Sequence, residues 1–407
     1  MQTNLSDHLV NTVAGKRAEK ILRSCVHCGF CTATCPTYQL LGDELDGPRG
    51  RIYQIKQLFE GGEVTAQVRT HLDRCLTCRS CETTCPSGVR YAELLDIGRE
   101  YVEESLPRPL WQRSSRWLLR KILPYPKRFG FLLGLGRLSK PVLPAVLADK
   151  IPLVAKADSV ASISCARKVL LLDGCVQSVI TPDVNAMASR IFARLGIETV
   201  RVAKAGCCGA VSSHLSANAE GRRFIRNNID AWWPYIEQGV EAIMATASGC
   251  GVMLQDYGQI MADDRHYAEK AARVSALVKD PAEILSALDL SALAIKPSSQ
   301  RIAFHAPCTL QHGLKQTGVV EKILRDLGYQ LVDVNDAHLC CGSAGTYSIL
   351  QPAISQKLLT AKLHHLQADQ PELIVTANIG CQMHLQSGSE IPVRHWLSLL
   401  NVSVSAN

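Results

Sequence analysis

Two short runs of cysteine constrain this chain more than any other feature of it. Cys25, Cys28, Cys31 and Cys35 are followed by Pro36, and Cys75, Cys78, Cys81 and Cys85 by Pro86, so each run reads C-x2-C-x2-C-x3-C-P. Three thiols spaced two residues apart on a tight loop can all turn to one side and wrap one face of a cubane cluster. The proline then ends any local helix and turns the chain away. Structural zinc usually takes separated C-x2-4-C pairs, and disulfide frameworks belong to short secreted chains. Eight cysteines in two matched runs therefore read as ligands of two [4Fe-4S] clusters.

The fourth cysteine of each run lies past its loop. In two-cluster ferredoxins that residue reaches the other cluster, which by analogy gives Cys25, Cys28 and Cys31 the partner Cys85, and gives Cys75, Cys78 and Cys81 the partner Cys35. Between the runs lie 39 residues that include Pro48-Arg49-Gly50-Arg51. Two arginines beside clusters of net negative charge would offset that charge and raise the reduction potential. On a solvated face they would do nothing of the kind.

With 407 residues, 47% hydrophobic and 20% charged, the chain has room for two or three globular domains. Seventeen cysteines without an apolar opening segment point to a reducing, cytoplasmic setting. No uncharged apolar run approaches the ~20 residues of a spanning helix. A net charge of +7 suits an acidic partner or an anionic surface, and with no aromatic binding motif beside it nucleic acid is not an expected partner.

Helix-like spacing covers 5–24, 50–59, 66–73 and 91–104, so the cluster loops are expected between helices. Residues 106–147 hold nine basic side chains and no acidic one, interleaved with Trp111, Trp117, Tyr125, Phe129 and Phe131. Such a segment suits a membrane interface with anionic lipid. It equally suits a linker packed on a partner or a neighbouring domain, and both readings stand.

From Arg167 onward short apolar runs alternate with helices, and the pattern occurs twice. Cys175, the pair Cys207-Cys208 and Cys250 form the first copy; Cys308, the pair Cys340-Cys341 and Cys381 form the second. Both copies place 31 residues before the pair, then 41 in one and 39 in the other. Ligands of α/β sheets gather beyond the carboxyl ends of parallel strands, where these cysteines are expected. Buried structural cysteine is the plainer alternative, and Cys165, outside both copies, reads as structural.

The repeat C-x31-CCG-x~40-C resembles the cysteine-rich CCG domain of heterodisulfide reductase subunits, anaerobic glycerol-3-phosphate dehydrogenase and lactate-utilisation proteins. The whole chain is most similar to the family of glycolate oxidase iron–sulfur subunits. Two ferredoxin runs, Asp43-Glu44-Leu45-Asp46-Gly47-Pro48-Arg49-Gly50-Arg51 and two CCG repeats carry the likeness, with Asn227 to Pro234 and Ala344 to Tyr347. The resemblance implies an α+β multidomain chain: an α-helical ferredoxin domain (1–105), a basic aromatic linker (106–165) and two repeated α/β CCG domains (166–290 and 300–398). It also implies partner subunits that bear FAD and oxidise glycolate, a quinone-type acceptor, and a place on the cytoplasmic face of the inner membrane.

One departure bears on the repeats. The CCG pattern of heterodisulfide reductases ends in C-x2-C, whereas Met253 and His384 stand at the last position here. Histidine can coordinate iron and makes a cluster less negative. The second repeat (Cys308, Cys340, Cys341, Cys381, His384) is thus the expected site of a further iron–sulfur centre, and the first is expected to be mainly architectural. Rival readings are a flavin-free thiol–disulfide reductase, a membrane adaptor with structural clusters, and an iron–sulfur subunit of a lactate or glycerol-3-phosphate dehydrogenase. No G-x-G-x-x-G follows a strand and no P-loop is present, so the flavin is expected on another chain.

Overall fold

A computed structural model describes residues 1–140, 154–155 and 164–400. The chain divides into two compact units. The first comprises Met1–Arg116, His214–Ser216 and His338–Lys362; the second comprises Trp117–Ser213, Ala217–Ala337 and Leu363–Asn407. The linker expected over 106–165 lies partly outside the described residues, as does the end of the basic segment, 141–147.

The first unit is helical. Its helices include α1 (Asp7–Val10), α2 (Val13–Ser24), α3 (Pro36–Leu41), α4 (Pro48–Phe59), α5 (Ala66–Asp73), α6 (Ser80–Thr84) and α7 (Tyr91–Ser105). The single helix expected over 5–24 is two, because the Thr12 hydroxyl caps α2 by accepting from the Gly15 N–H at 2.9 Å. Ile21, Leu22, Ile55, Leu58, Phe59, Leu72, Leu94 and Leu95 fill the core. Gly98 lets α7 lie directly on α4, since a Cβ there would stand 2.8 Å from Ile55.

The second unit carries two parallel sheets. Strands β1 (Arg167–Leu172), β2 (Ile197–Val200) and β3 (Ala242–Ala245) form one in the order β2-β1-β3. Strands β4 (Arg301–His305), β5 (Gln330–Leu331), β6 (Leu373–Thr376) and β7 (Val393–His395) form the other in the order β5-β4-β6-β7. The two are one plan used twice: β6 pairs with β7 through Ile374 and Val393, and the first repeat keeps a parallel bridge from Ile243 to Val278. Strands β2 and β5 are short, four and two residues. Both are edge strands of their sheets.

Alternate residues of β1 serve opposite faces, Val169 and Leu171 in one apolar cluster, Leu170 and Leu172 in another. The first of these clusters runs on through Ile302, Phe304, Val375 and Trp396, so the two sheets share a core. Their carboxyl ends also meet: the Ser248 N–H donates to Ala377 O at 3.1 Å, and the Ser248 and Thr309 hydroxyls are 2.7 Å apart. Gly313 is required at this seam, because a Cβ would fall 2.3 Å from Val252.

Candidate functional site

The two cysteine loops are built alike. Each begins as a helix closes, with the Cys25 N–H on Leu22 O and the Cys75 N–H on Leu72 O, both at 3.2 Å. Positive φ then recurs in register, at His27 and Gly29 in one loop and Thr77 and Arg79 in the other. Left-handed residues turn main-chain N–H groups inward; the Thr77 N–H points at Cys75 Sγ at 3.4 Å. Gly29 takes φ +87°, and a Cβ there would lie 2.8 Å from the Arg49 guanidinium.

Two cradles result. Cys25, Cys28, Cys31 and Cys85 line the first with Ile52, Val89, Arg49 and the Tyr91 ring. Cys75, Cys78 and Cys81 line the second with Cys35, Thr37, Arg51 and Tyr91. The fourth cysteine of each run thus lies with the opposite loop. Burial pushes the Cys31 thiol up to about 11, helped by Cys25 and Cys85. Cys81 is pushed up by burial and then by Cys78, Cys75 and Cys35. Crowded thiols that resist ionising together are a donor set suited to iron, whose charge stabilises the thiolates.

The segment between the runs packs a buried ion network beside the second cradle. Arg51, wholly buried, donates to His71 O at 2.7 Å, Thr37 Oγ1 at 3.2 Å and Asp46 Oδ1 at 3.3 Å. Asp46 also accepts from Arg74 at 2.8 Å and sits 3.1 Å from His71 Nδ1. Gly50 permits this approach, for a Cβ there would lie 2.1 Å from Glu44 O. Arg49 behaves differently: its guanidinium is partly exposed and paired with Glu44 at 2.7 Å. Of the two arginines read from the sequence, one is buried at a cradle and one is near the surface. Thr37, Tyr91 and Arg99 were not anticipated; only their closeness to the cysteine runs marked them.

In the first repeat, Cys175, Cys207, Cys208 and Cys250 come together past their strands. Cys207 hydrogen-bonds with Cys175 and Cys208, and Cys250 with Cys208; these contacts and burial hold both thiols well above the ordinary range. Tyr257 donates to Cys208 O at 2.8 Å and Asn228 to Cys207 O at 2.9 Å, fixing the double-cysteine turn. Gly209 takes φ +96°, and Met253 closes the pocket 3.5 Å from where its Cβ would be.

The second repeat repeats the turn: the Gly342 N–H approaches Cys340 Sγ at 3.4 Å, as the Gly209 N–H approaches Cys207 Sγ at 3.4 Å. Cys340 and Cys341 are buried in the first unit. There the Tyr347 phenol donates to Arg74 O at 2.9 Å. Cys308, Cys381, His305 and His384 are buried in the second unit, where Asn378 Nδ2 lies 3.5 Å from Cys381 Sγ.

A protein-family model described as "4Fe-4S dicluster domain" matches residues 21–89, and one described as "Cysteine-rich domain" matches 169–255 and 302–386. The glycolate oxidase iron–sulfur subunit of Escherichia coli (strain K12) is 52% identical over 401 residues, covering 98% of each chain. This chain belongs to the glycolate oxidase iron–sulfur subunit family. A probable glycolate oxidase iron–sulfur subunit of Bacillus subtilis (strain 168) is 30% identical, covering 91% of this chain and 89% of its own. Lactate utilization protein A of Shouchella clausii is more distant, 23% identical over 57% of this chain and 98% of its own. In fold, the subunit is similar to a hypothetical protein from Helicobacter pylori, with TM-score 0.52 at 9% identity, covering 98% of this chain and 74% of that one.

The subunit's basic aromatic segment forms α8 (Leu110–Ile122) and α9 (Pro126–Ser139). Its charges divide into two sets. Arg108 and Arg116 pair with Asp73 at 2.6 and 3.3 Å, and Arg120 and Lys121 with Glu220 at 3.0 and 2.8 Å. Arg113, Lys127, Arg128, Arg137 and Lys140 are exposed, and so are Trp111, Trp117, Phe131 and Leu138. Among the described residues no helix is long and apolar enough to cross a membrane.

Proposed function

We propose that this iron–sulfur subunit carries electrons from FAD on partner subunits, where glycolate is oxidised to glyoxylate, to a quinone-type acceptor. Family membership supplies the reaction class. What supports a relay through this chain is the pair of crossed cradles, each with three thiols of one run and the fourth of the other. The sulfurs would hold iron as thiolates, and a [4Fe-4S] group there supplies one-electron transfer. The chain's own part is to crowd eight cysteines at fixed register and keep water from the buried side.

The third station in this reading is the second repeat, through Cys308, Cys340, Cys341, Cys381 and His384. Support comes from its double-cysteine loop, which belongs to the same compact unit as the ferredoxin helices and is bonded to them by Tyr347. The first repeat, with four thiols in mutual contact, is the architectural counterpart. Against a flavin-free disulfide reductase stand Met253 and His384 at the positions where a fifth cysteine would be. The exposed cations and rings of α8 and α9 suit the anionic cytoplasmic face of the inner membrane.

The test is a single-turnover experiment on the assembled complex. Glycolate should bleach the flavin first and the iron–sulfur absorbance next, and the isolated subunit should not oxidise glycolate with an artificial dye. Substantial flavin-free turnover by this chain alone would sink the proposal.

A further inference from the structure

The two ferredoxin cradles hold four thiols each but differ in what surrounds them. Around the second, Arg51 is wholly buried and shares one carboxylate, Asp46, with Arg74, so two guanidinium groups face a single negative charge. Thr37 Oγ1, which accepts from Arg51, lies 3.3 Å from Cys35 Sγ. The hydroxyl proton goes to Asp46 O at 2.8 Å, and once Cys35 is a thiolate the same proton can turn to the sulfur. Tyr91 is 4% exposed, and its hydroxyl lacks a partner of full hydrogen-bonding geometry while it is directed at Cys75. Arg99 adds a further cation, donating to Cys75 O and Leu72 O at 2.8 Å and to Thr77 Oγ1 at 3.2 Å.

The first cradle has little of this. Arg49 lines it, but that guanidinium is neutralised by Glu44 and partly exposed, where solvent screens both charges. Ile52, Val89 and the Tyr91 ring form the wall, the Tyr91 hydroxyl being turned to Cys75 of the other cradle, and Val26 and Phe30 stand exposed on the loop around an exposed Cys28. Hydrogen bonds to sulfur and nearby positive charge both favour the reduced, more negative state of an iron–sulfur group.

We propose that Arg51, Thr37 and Tyr91 give the group held by Cys35, Cys75, Cys78 and Cys81 a higher reduction potential than the group held by Cys25, Cys28, Cys31 and Cys85. The inference rests on the electron-carrier reading and adds a direction to it. One electron leaves the first cradle, oxidising what it holds, and enters the second, reducing what that holds. No bond forms or breaks and no proton is moved. Cys28 marks the entry side, and the second cradle leads on to the loop that Tyr347 fastens to Arg74.

The experiment is a potentiometric titration of the loaded complex, followed by electron paramagnetic resonance. Cys35→Ser and Cys85→Ser assign the two signals to their cradles. The signal altered by Cys35→Ser should have the higher midpoint. Tyr91→Phe, which removes only a hydroxyl, should lower that midpoint alone, cutting the reduced-to-oxidised ratio at fixed potential roughly tenfold, ~59 mV for a one-electron couple. Arg51→Lys should lower the same midpoint, and Arg49→Gln should move neither. The proposal is overturned if the higher midpoint belongs to the signal altered by Cys85→Ser, or if Tyr91→Phe shifts both signals equally or neither. In those cases both signals persist and the carrier reading survives; absence of any iron–sulfur signal in the unaltered complex removes that reading and the ordering with it.

Discussion

The Tyr347 phenol donates to the main-chain carbonyl of Arg74 over 2.9 Å. Arg74 directly precedes Cys75, and Tyr347 lies six residues after Cys341, so one hydrogen bond joins the loop of a ferredoxin run to the loop of a CCG repeat. Tyr347 is buried, and its phenol is pushed well above the ordinary range by burial and then by the Cys75 thiol. Tyr347→Phe keeps the ring and deletes the bond. Reduction of the flavin by glycolate should be unchanged, while reduction of quinone slows several-fold at unaltered iron content. Rapid-mixing absorbance separates the two steps; equal slowing of both would place the effect elsewhere.

Ligand crossing has a direct spectroscopic check. Cys85→Ser should alter the signal of the group held by Cys25, Cys28 and Cys31, and Cys35→Ser that of the group held by Cys75, Cys78 and Cys81. Each substitution disturbing only the signal of its own run would contradict the arrangement of the two cradles.

Two buried groups in the second unit pull stability in opposite directions with pH. Burial lowers His395 to about 4 despite its bond to Thr246 O, and burial raises Asp280 to about 7 although it caps the Ala282 N–H. Between pH 4 and 6.5 the unfolded chain binds a proton at His395 that the folded chain does not, so this residue makes stability rise with pH. Between 3.8 and 7 the folded chain holds a proton at Asp280 that the unfolded chain has lost, so this one makes stability fall. Each slope is about 1.4 kcal/mol per pH unit, and in the wild-type chain they largely cancel. Denaturant midpoints of His395→Gln should therefore fall as pH rises from 4.5 to 6.5, whereas those of Asp280→Asn should climb. Parallel slopes in the two variants would rule this out.

Much of the ferredoxin half was legible because its chemistry is local. Cysteine spacing fixes a loop, proline ends it, and the helices 50–59 and 66–73 emerged from their apolar period, with α5 matching residue for residue. The buried setting of Arg51 was not legible, since it depends on His71, Thr37 and Asp46 converging from separate segments. The CCG repeats showed their strands and cysteines by register. Their edge strands are shorter than the apolar pattern, which runs on to Val202 in one and Val334 in the other, past the last paired residues Val200 and Leu331. In the basic segment, sequence counted nine charges alike; Asp73 and Glu220, distant in sequence, take up four of them.

That division changes which substitutions test lipid contact. Lys127→Glu, Arg137→Glu and Lys140→Glu reverse exposed charges that have no described ion-pair partner within the chain. Together they should release the complex from anionic vesicles, at about 1 kcal/mol for each basic charge removed from the surface. Arg120→Glu with Lys121→Glu would instead leave Glu220, itself largely buried, facing two like charges. That pair should lower thermal stability whatever the segment touches, so loss of vesicle binding there says nothing about lipid. Sedimentation with vesicles in low salt distinguishes the sets. Retained binding by the triple variant would assign the exposed rings of Trp111, Trp117 and Phe131 to a protein partner.

Iron content decides between the repeats. With only the ferredoxin cradles loaded the subunit should carry about 8 irons, and about 12 with one further four-iron centre. His384, buried near the carboxyl end of its sheet, gives the second repeat a nitrogen donor where the first has Met253, a weak ligand for iron. The first repeat nevertheless brings its four thiols into mutual hydrogen-bonding contact, so thiol geometry alone does not separate the two. The separating property is attachment: Cys340 and Cys341 share a unit with the ferredoxin cysteines, and the four thiols of the first repeat do not. Cys341→Ala should therefore remove the extra iron and slow quinone reduction, leaving flavin reduction by glycolate intact. Cys208→Ala should keep the iron count and lower thermal stability, because Tyr257 and Asn228 hold that turn in the core. The reverse pattern would move the third station to the first repeat.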